Sequence, residues 1–265
     1  MNEQNFEYLK DNVKYMGFGE KQYDQLQQHL AEGKENFQMT FSAEVNKKPF
    51  EAVLQFRKSD STDMYFFNSY KASMERTNGD KMEQTFYLNK GKGVTAKEAF
   101  NLLEGRAVYK ELHNKANEPY KAWIQLDFEN KDKNQNFEVK QYHENYGYDV
   151  KAAVNKFSVA EMDGGDKEKA LLQSLQKGNI QAVAVQVNGE SQKMFIEANP
   201  QYKTVNIYDG NMQRLGHEKR QELGQKEGKE EKQDLKQDQK KSVKQKPADD
   251  LAQSKKKSRK KGMSA

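Results

Sequence analysis

Every Phe, Trp and Tyr of this 265-residue chain lies at or before Tyr208, and the rest of the chain is almost entirely Lys, Arg, Glu, Asp, Gln, Ser and Gly. A stretch without aromatic rings and with so few aliphatic ones buries too little apolar surface to offset the entropy of ordering it. The folded body is therefore expected to end near Met212, with residues 213–265 as a disordered basic tail.

That partition relocates the charge. Residues 1–212 hold 28 Lys and Arg against 31 Asp and Glu, whereas 213–265 hold 17 against 9. The overall excess of +5 thus belongs to the tail, and the body is mildly acidic. The chain has no cysteine, which removes disulfides, thiolate nucleophiles and Cys-ligated metal centres and fits a reducing, cytoplasmic setting. The N-terminus shows no export signal, and no apolar run approaches the roughly 20 residues a membrane helix needs, so no membrane association is expected.

Within the body the hydrophobic period changes from helix to strand. Phe6, Leu9, Val13 and Met16 form one helical stripe, Gly17-Phe18-Gly19 breaks it, and Tyr23, Leu26 and Leu30 resume it, which reads as an αα-hairpin. From Phe37 the period is two, and Asn46-Lys47-Lys48-Pro49 turns the chain into a second strand at 50–56. A third strand near 64–70 pairs across Asn78-Gly79 with a fourth at 84–88. Thr95 and Glu98 have capping-box spacing, so 95–104 is expected as a helix, followed by a hairpin at 107–112 and 120–128. Short helices near 149–156 and 166–177 precede strands at 180–187 and 193–198 across Asn188-Gly189, and a last short strand at 204–208. The fold class is α+β, with antiparallel hairpins and meanders and short helices. The expected regions are 1–90, an αα-hairpin plus meander; 91–212, two helix–hairpin units; and the tail.

Three segments share one grammar of helix, Gly, strand, turn and matching strand. Leu30/Gly33, Leu102/Gly105 and Leu175/Gly178 mark the helix ends, and the second strands align as 50–56, 120–126 and 192–198. Leaving a helix for a strand calls for a positive φ, which Gly adopts without a Cβ penalty. Helix–Gly–hairpin is also a common way to build α+β structure. True repetition points to a scaffold or binding surface more than to a single catalytic pocket.

Motifs for chemistry are sparse. Lys90, Gly91, Lys92, Gly93 and Thr95 sit between a strand and a helix N-terminus, where free N–H groups and two lysines suit an anion, although neither a Walker A loop nor a dinucleotide fingerprint is present. The alternative is a solvated loop. Tyr142, Tyr146 and Tyr148 bracket a His and an Asn, and such rings suit stacking on single-stranded bases, contact with a protein, or packing within the fold. His29, His113, His143 and His217 show no metal-ligand spacing, and no Asp-x-Asp or Gly-x-Ser-x-Gly occurs, so no metal, no cofactor and no catalytic residue is expected. Lys255, Lys256, Lys257, Arg259, Lys260 and Lys261 form a basic cluster fit for nonspecific contact with DNA or RNA phosphates, or for solubility alone.

The segments 85–95, 145–149 and 195–200 resemble an uncharacterised domain-of-unknown-function family from conjugative transposons of Bacteroides-group bacteria. The resemblance covers most of the body and implies mobile-element biology without an activity or a catalytic residue. The expectation is a non-enzymatic binding protein, associated with nucleic acid through its tail. The alternative is a protein–protein adaptor or anti-defence factor whose tail merely solubilises it.

Overall fold

The structure, a computed structural model, describes residues 2–76, 79–89, 92–114, 116–187 and 189–223. Helices α1 (Glu3–Tyr15) and α2 (Tyr23–Glu32) open the chain. Asn2 caps α1, its side chain accepting from the Asn5 N–H at 3.1 Å. Leu9, Val13 and Met16 are buried as the stripe requires. Phe18, in the break between the helices, is itself an anchor. Its buried ring meets Phe41, Phe67 and Tyr70 edge-on with centroids 5.0–5.9 Å away.

Strands β1 (Asn36–Val45), β2 (Lys48–Lys58), β3 (Tyr65–Glu75) and β4 (Lys81–Tyr87) form an antiparallel sheet in chain order. The β1–β2 turn holds Asn46 and Lys47 at φ 52° and 63°, as a two-residue type I′ hairpin loop demands. Helix α3 (Ala96–Leu103) comes next, with its capping box formed at Thr95 and Glu98. Then come β5 (Val108–His113), β6 (Pro119–Lys131) and β7 (Phe137–His143), a second antiparallel sheet. β7 adds to the expected elements, and it moves Tyr142 from a loop into a strand. Helices α4 (Val150–Val154) and α5 (Asp166–Gln176) lead into β8 (Gln181–Val187), β9 (Glu190–Asn199) and β10 (Thr204–Tyr208), the third sheet.

The three helix–Gly–hairpin units are present; the third strands expected near 64–70 and at 204–208 form as β3 and β10, and the second unit gains β7. Gly33, Gly105 and Gly178 stand at φ 68°, 91° and 76°, and Leu30, Leu102 and Leu175 are buried beside them. The aligned strand positions also share a burial register: Ala52, Leu54 and Phe56 in β2, Ala122, Ile124 and Leu126 in β6, and Met194, Ile196 and Ala198 in β9 are all buried. At the preceding aligned position Phe50 is buried, Tyr120 half-buried and Gln192 exposed, so the likeness fades toward the hairpin tips.

Two apolar cores result, and the second sheet is the wall between them. Val108, Ile124, Leu126 and Phe137 join the first core with α1, α2, α3 and the four-stranded sheet. Ala107 and Trp123 join the second with α4, α5 and the third sheet. Alternation along the centre of β6 thus buries both faces there, in different cores, Trp123 on one side and Ile124 and Leu126 on the other. Residues Met1–Gln225 form one compact unit, and α3, expected to open a separate region after residue 90, shares the core of β1–β4.

The ordered chain runs past the expected limit at Met212. The Leu215 N–H donates to the Ile207 carbonyl at 2.8 Å, and helix α6 (His217–Leu223) ends with Leu223 buried in the second core. Leu215 and Leu223, with Arg214 bonded to Asn206, tie residues 213–223 to the body, and two leucines are a signal too sparse for the aromatic partition to register. Among the described residues no helix is long and apolar enough to cross a membrane.

Candidate binding groove

The segment between β4 and α3 is the expected anion site. Lys90 and Gly91 lie outside the described residues. Asn89 and Lys92 close a turn through reciprocal main-chain hydrogen bonds of 2.8 and 2.9 Å, leaving the Lys92 side chain exposed. Gly93 packs against Leu88; a Cβ there would fall 2.6 Å from the leucine Cδ2.

The helix N-terminus is already supplied with an anion. The Thr95 N–H donates to the Glu98 carboxylate at 2.9 Å, the Glu98 N–H to Thr95 Oγ1 at 3.4 Å, and the Ala96 N–H to the Met16 carbonyl at 2.8 Å. Glu98 is buried, and Lys110 Nζ balances its charge at 2.9 Å. The carboxylate therefore stands in the place expected for a phosphate; the Thr95 and Glu98 donors are spent within the capping box, and the Ala96 donor holds α3 to the end of α1. The motif is a cap, with Lys92 left on its rim.

Tyr142, Tyr146 and Tyr148 are turned to structural use. The Tyr148 hydroxyl donates to the Thr204 carbonyl at 3.0 Å, and its ring meets Trp123 edge-on at 5.2 Å. Burial pushes the Tyr148 phenol well above its ordinary range. The Tyr146 hydroxyl donates to the Gln201 carbonyl at 2.8 Å, with Lys203 Nζ 4.8 Å from its ring centroid. Tyr142 stacks at a tilt on Tyr146, 5.1 Å away. These rings join the second sheet to the third, which answers the stacking expectation for Tyr146 and Tyr148 with packing. The tail residues Lys255, Lys256, Lys257, Arg259, Lys260 and Lys261 lie outside the described residues.

Lys92, Gly93 and Thr95 of the expected segment line a groove that the fold completes with residues distant in sequence. A concavity of about 540 Å³ opens between the Asn89–Lys92 turn and β5, lined by Tyr15, Tyr87, Lys92, Lys110 and His113 among others. Tyr15 and Tyr87 are 75% and 69% exposed, far more than rings in either core. Past Tyr87 and Leu112 it meets a cleft of about 380 Å³ whose wall includes Ile124, Leu126 and Val139. Of the six large hydrophobic side chains exposed among the described residues, Tyr15, Tyr87 and Val139 lie along this one path. Sequence reasoning passes over Tyr15, whose signal is its place one residue off the buried stripe.

The other concentration of polar groups is closed on itself. Buried Glu197 accepts from the Tyr208 hydroxyl and the Asn206 amide, both at 2.7 Å, and Asn206 Oδ1 accepts from Arg214 at 2.6 Å and Asn199 at 2.8 Å. Burial, with Glu197 beside it, drives the Tyr208 phenol upward. Each member has its partner, so the network binds β9, β10 and the segment after β10 together. Among the described residues no group of three or more His, Asp or Glu side chains is placed to hold a metal ion. Comparison with protein-family models, curated proteins and solved structures finds no match to this chain.

Proposed function

We propose that the protein is a non-enzymatic binding protein of a mobile genetic element, whose basic cluster at 255–261 contacts nucleic acid and whose folded units engage a partner through the Tyr15–Tyr87 groove. The mobile-element part rests on the resemblance of segments 85–95, 145–149 and 195–200 to conjugative-transposon proteins. The observation that carries the binding role is the gathering of exposed tyrosines and Lys92 around one open groove, while Glu98, Glu197 and the Tyr146 and Tyr148 hydroxyls are turned inward onto structural partners.

The second reading is a protein adaptor with a merely solubilising tail. It is favoured by the acidic balance of the body, 28 basic against 31 acidic residues over 1–212, which gives phosphates no net attraction outside the tail. Fluorescence anisotropy separates the two. Labelled single- and double-stranded DNA and RNA are titrated with the full chain and with residues 1–225 across a salt series. Salt-steep binding by the full chain, lost on truncation, supports the tail as the nucleic-acid arm. Absence of binding by both chains overturns that arm and leaves the adaptor.

A further inference from the structure

The fold covers most of its own strand edges. On the outer edge of β8 the Ala184 N–H donates to the Glu161 carboxylate at 3.1 Å, the Gln186 N–H to the Ser158 carbonyl at 2.9 Å, and the Ala184 carbonyl accepts from the Ala160 N–H at 2.9 Å. Leu215 lies on the edge of β10 through Ile207. β4 and β7 clip one another through side chains: the Thr85 N–H donates to Asn136 Oδ1 at 2.9 Å and the Phe137 N–H to Gln84 Oε1 at 2.8 Å.

β5 is treated differently. The Asn114 N–H bonds the Glu118 carbonyl at 3.0 Å, which sets the phase of the β5–β6 ladder. Hydrogen-bonded pairs then fall at Leu112, Lys110 and Val108, and the main-chain groups of Glu111 and His113 point away from β6. Pro119, which has no N–H to give, stands opposite His113 as this phase requires. No described residue hydrogen-bonds the outward groups of Glu111 or His113, and both residues line the groove. β1 also leaves its outer edge unpaired among the described residues, but none of the exposed large hydrophobic side chains belongs to it.

We propose that the β5 edge receives an extended acidic peptide from a partner protein as a fourth strand of the second sheet. This deepens the groove reading above and rests on it. Main-chain donors and acceptors recurring every second residue match another strand and not a sugar–phosphate chain. Tyr15, Tyr87 and Leu112 supply apolar contact on the groove walls. Lys92, exposed and with no carboxylate partner among the described residues, is the groove's unpaired lysine, since Lys110 is already held by Glu98 at 2.9 Å, hence the preference for an acidic side chain beside Lys92. A second copy of this chain is the poorer occupant. Two β5 strands paired antiparallel about Glu111 would set that carboxylate against its own copy.

The test pans a displayed library of random ten-residue peptides on the full-length chain, with counter-selection on Glu111→Pro, which deletes one edge N–H. Enriched peptides are expected to carry acidic residues between apolar ones. They should bind the native chain at least tenfold more tightly than Glu111→Pro, and Lys92→Glu should also weaken them. If Glu111→Pro fails to fold, the same peptides N-methylated at alternate residues are measured on the native chain and should lose at least tenfold. Equal binding of methylated and unmethylated peptides, enrichment without preference over Glu111→Pro, or no enrichment overturns the proposal. So does oligothymidylate that protects the Glu111 and His113 amides from hydrogen exchange while peptides do not. The salt-series assay on nucleic acid reads the tail separately, so either proposal can fail without the other.

Discussion

Arg106 Nε donates to the carbonyl oxygen of Gly178 at 2.9 Å, so the arginine just after the helix of the second unit holds the helix end of the third. Asn101 assists, its amide donating to the Lys177 carbonyl at 2.7 Å while its own oxygen accepts from Arg106 at 2.6 Å. The same device recurs one unit earlier, where Arg76 donates to the Leu103 carbonyl at 3.1 Å. A guanidinium at a helix C-terminus satisfies carbonyls the helix leaves open and opposes the negative end of its dipole.

This clasp makes the three repeat glycines unequal. A Cβ on Gly178 would lie 2.8 Å from the Ala107 carbonyl oxygen and 3.1 Å from Asn101 Cβ, whereas one on Gly33 meets nothing within 4 Å. Both substitutions incur the left-handed penalty of about 1 kcal/mol, but overlap with backbone at Gly178 adds about 2 kcal/mol more. Urea unfolding should therefore show Gly178→Ala destabilised by about 3 kcal/mol and Gly33→Ala by about 1 kcal/mol. Equal losses would mean the inter-unit contact yields.

Stability should also depend on the Lys151–Glu168 pair linking α4 to α5. Lys151 Nζ at 2.6 Å, then the Gly164 N–H at 3.0 Å, hold the Glu168 carboxyl below its ordinary value. A carboxylate depressed in the folded state contributes stability that is present above its unfolded pKa and fades as pH falls through the folded one. The native chain is expected to exceed Glu168→Gln in urea midpoint at pH 7, with the gap narrowing as pH drops below about 4.3. A gap that stays constant down to pH 3 would contradict the pairing.

Trp123, the sole tryptophan, is 4% exposed between Tyr109 and Tyr148 and so reports on the join between the second and third units. Tyr148→Phe removes the hydroxyl that meets the Thr204 carbonyl and should cost about 1 kcal/mol. Trp123 emission should track the same unfolding curve as far-UV circular dichroism. Oligonucleotide affinity of the full chain should be unchanged by Tyr148→Phe, because this ring is packed and not presented. A marked loss of affinity would make Tyr148 a base-stacking residue after all.

Truncation should distinguish residue 212 from residue 225 as the end of the body. Cutting at 212 removes the Leu215 hydrogen bond to β10 and the buried Leu223 side chain. Loss of the leucine alone predicts a deficit of about 2 kcal/mol or more, read as a lower thermal midpoint for 1–212 than for 1–225. Coincident melting curves would show that residues 213–223 add nothing.

Much of this architecture is legible in the sequence because local signals agree: the stripe of α1, the capping box at Thr95, the positive-φ glycines and the alternation of β2 each report on neighbouring residues. β7 escapes because Phe137 and Tyr142 face opposite cores and Val139 is 44% exposed, so its pattern has no consistent apolar side. Of the groove, only the wall at Lys92, Gly93 and Thr95 is named from the sequence, and the rest escapes for a different reason. Tyr15 ends a helix, Tyr87 ends a strand, and His113 sits at a hairpin, so only tertiary packing unites them. The Gly-Lys segment misleads because an internal carboxylate, Glu98, occupies the helix end that an outside anion would have used.

The centre of β6, buried on both faces, also determines how the molecule can fail. In stacked repeats whose units touch only neighbours, an end unit can peel away and leave the rest intact. Here removing the third unit would strip Trp123 and Ala107 of their cover, and removing the first would do the same to Ile124 and Leu126. Such a chain should be indivisible: the shared wall predicts cooperative unfolding, and shortening the array by one unit should leave an aggregation-prone remnant in place of a smaller working protein.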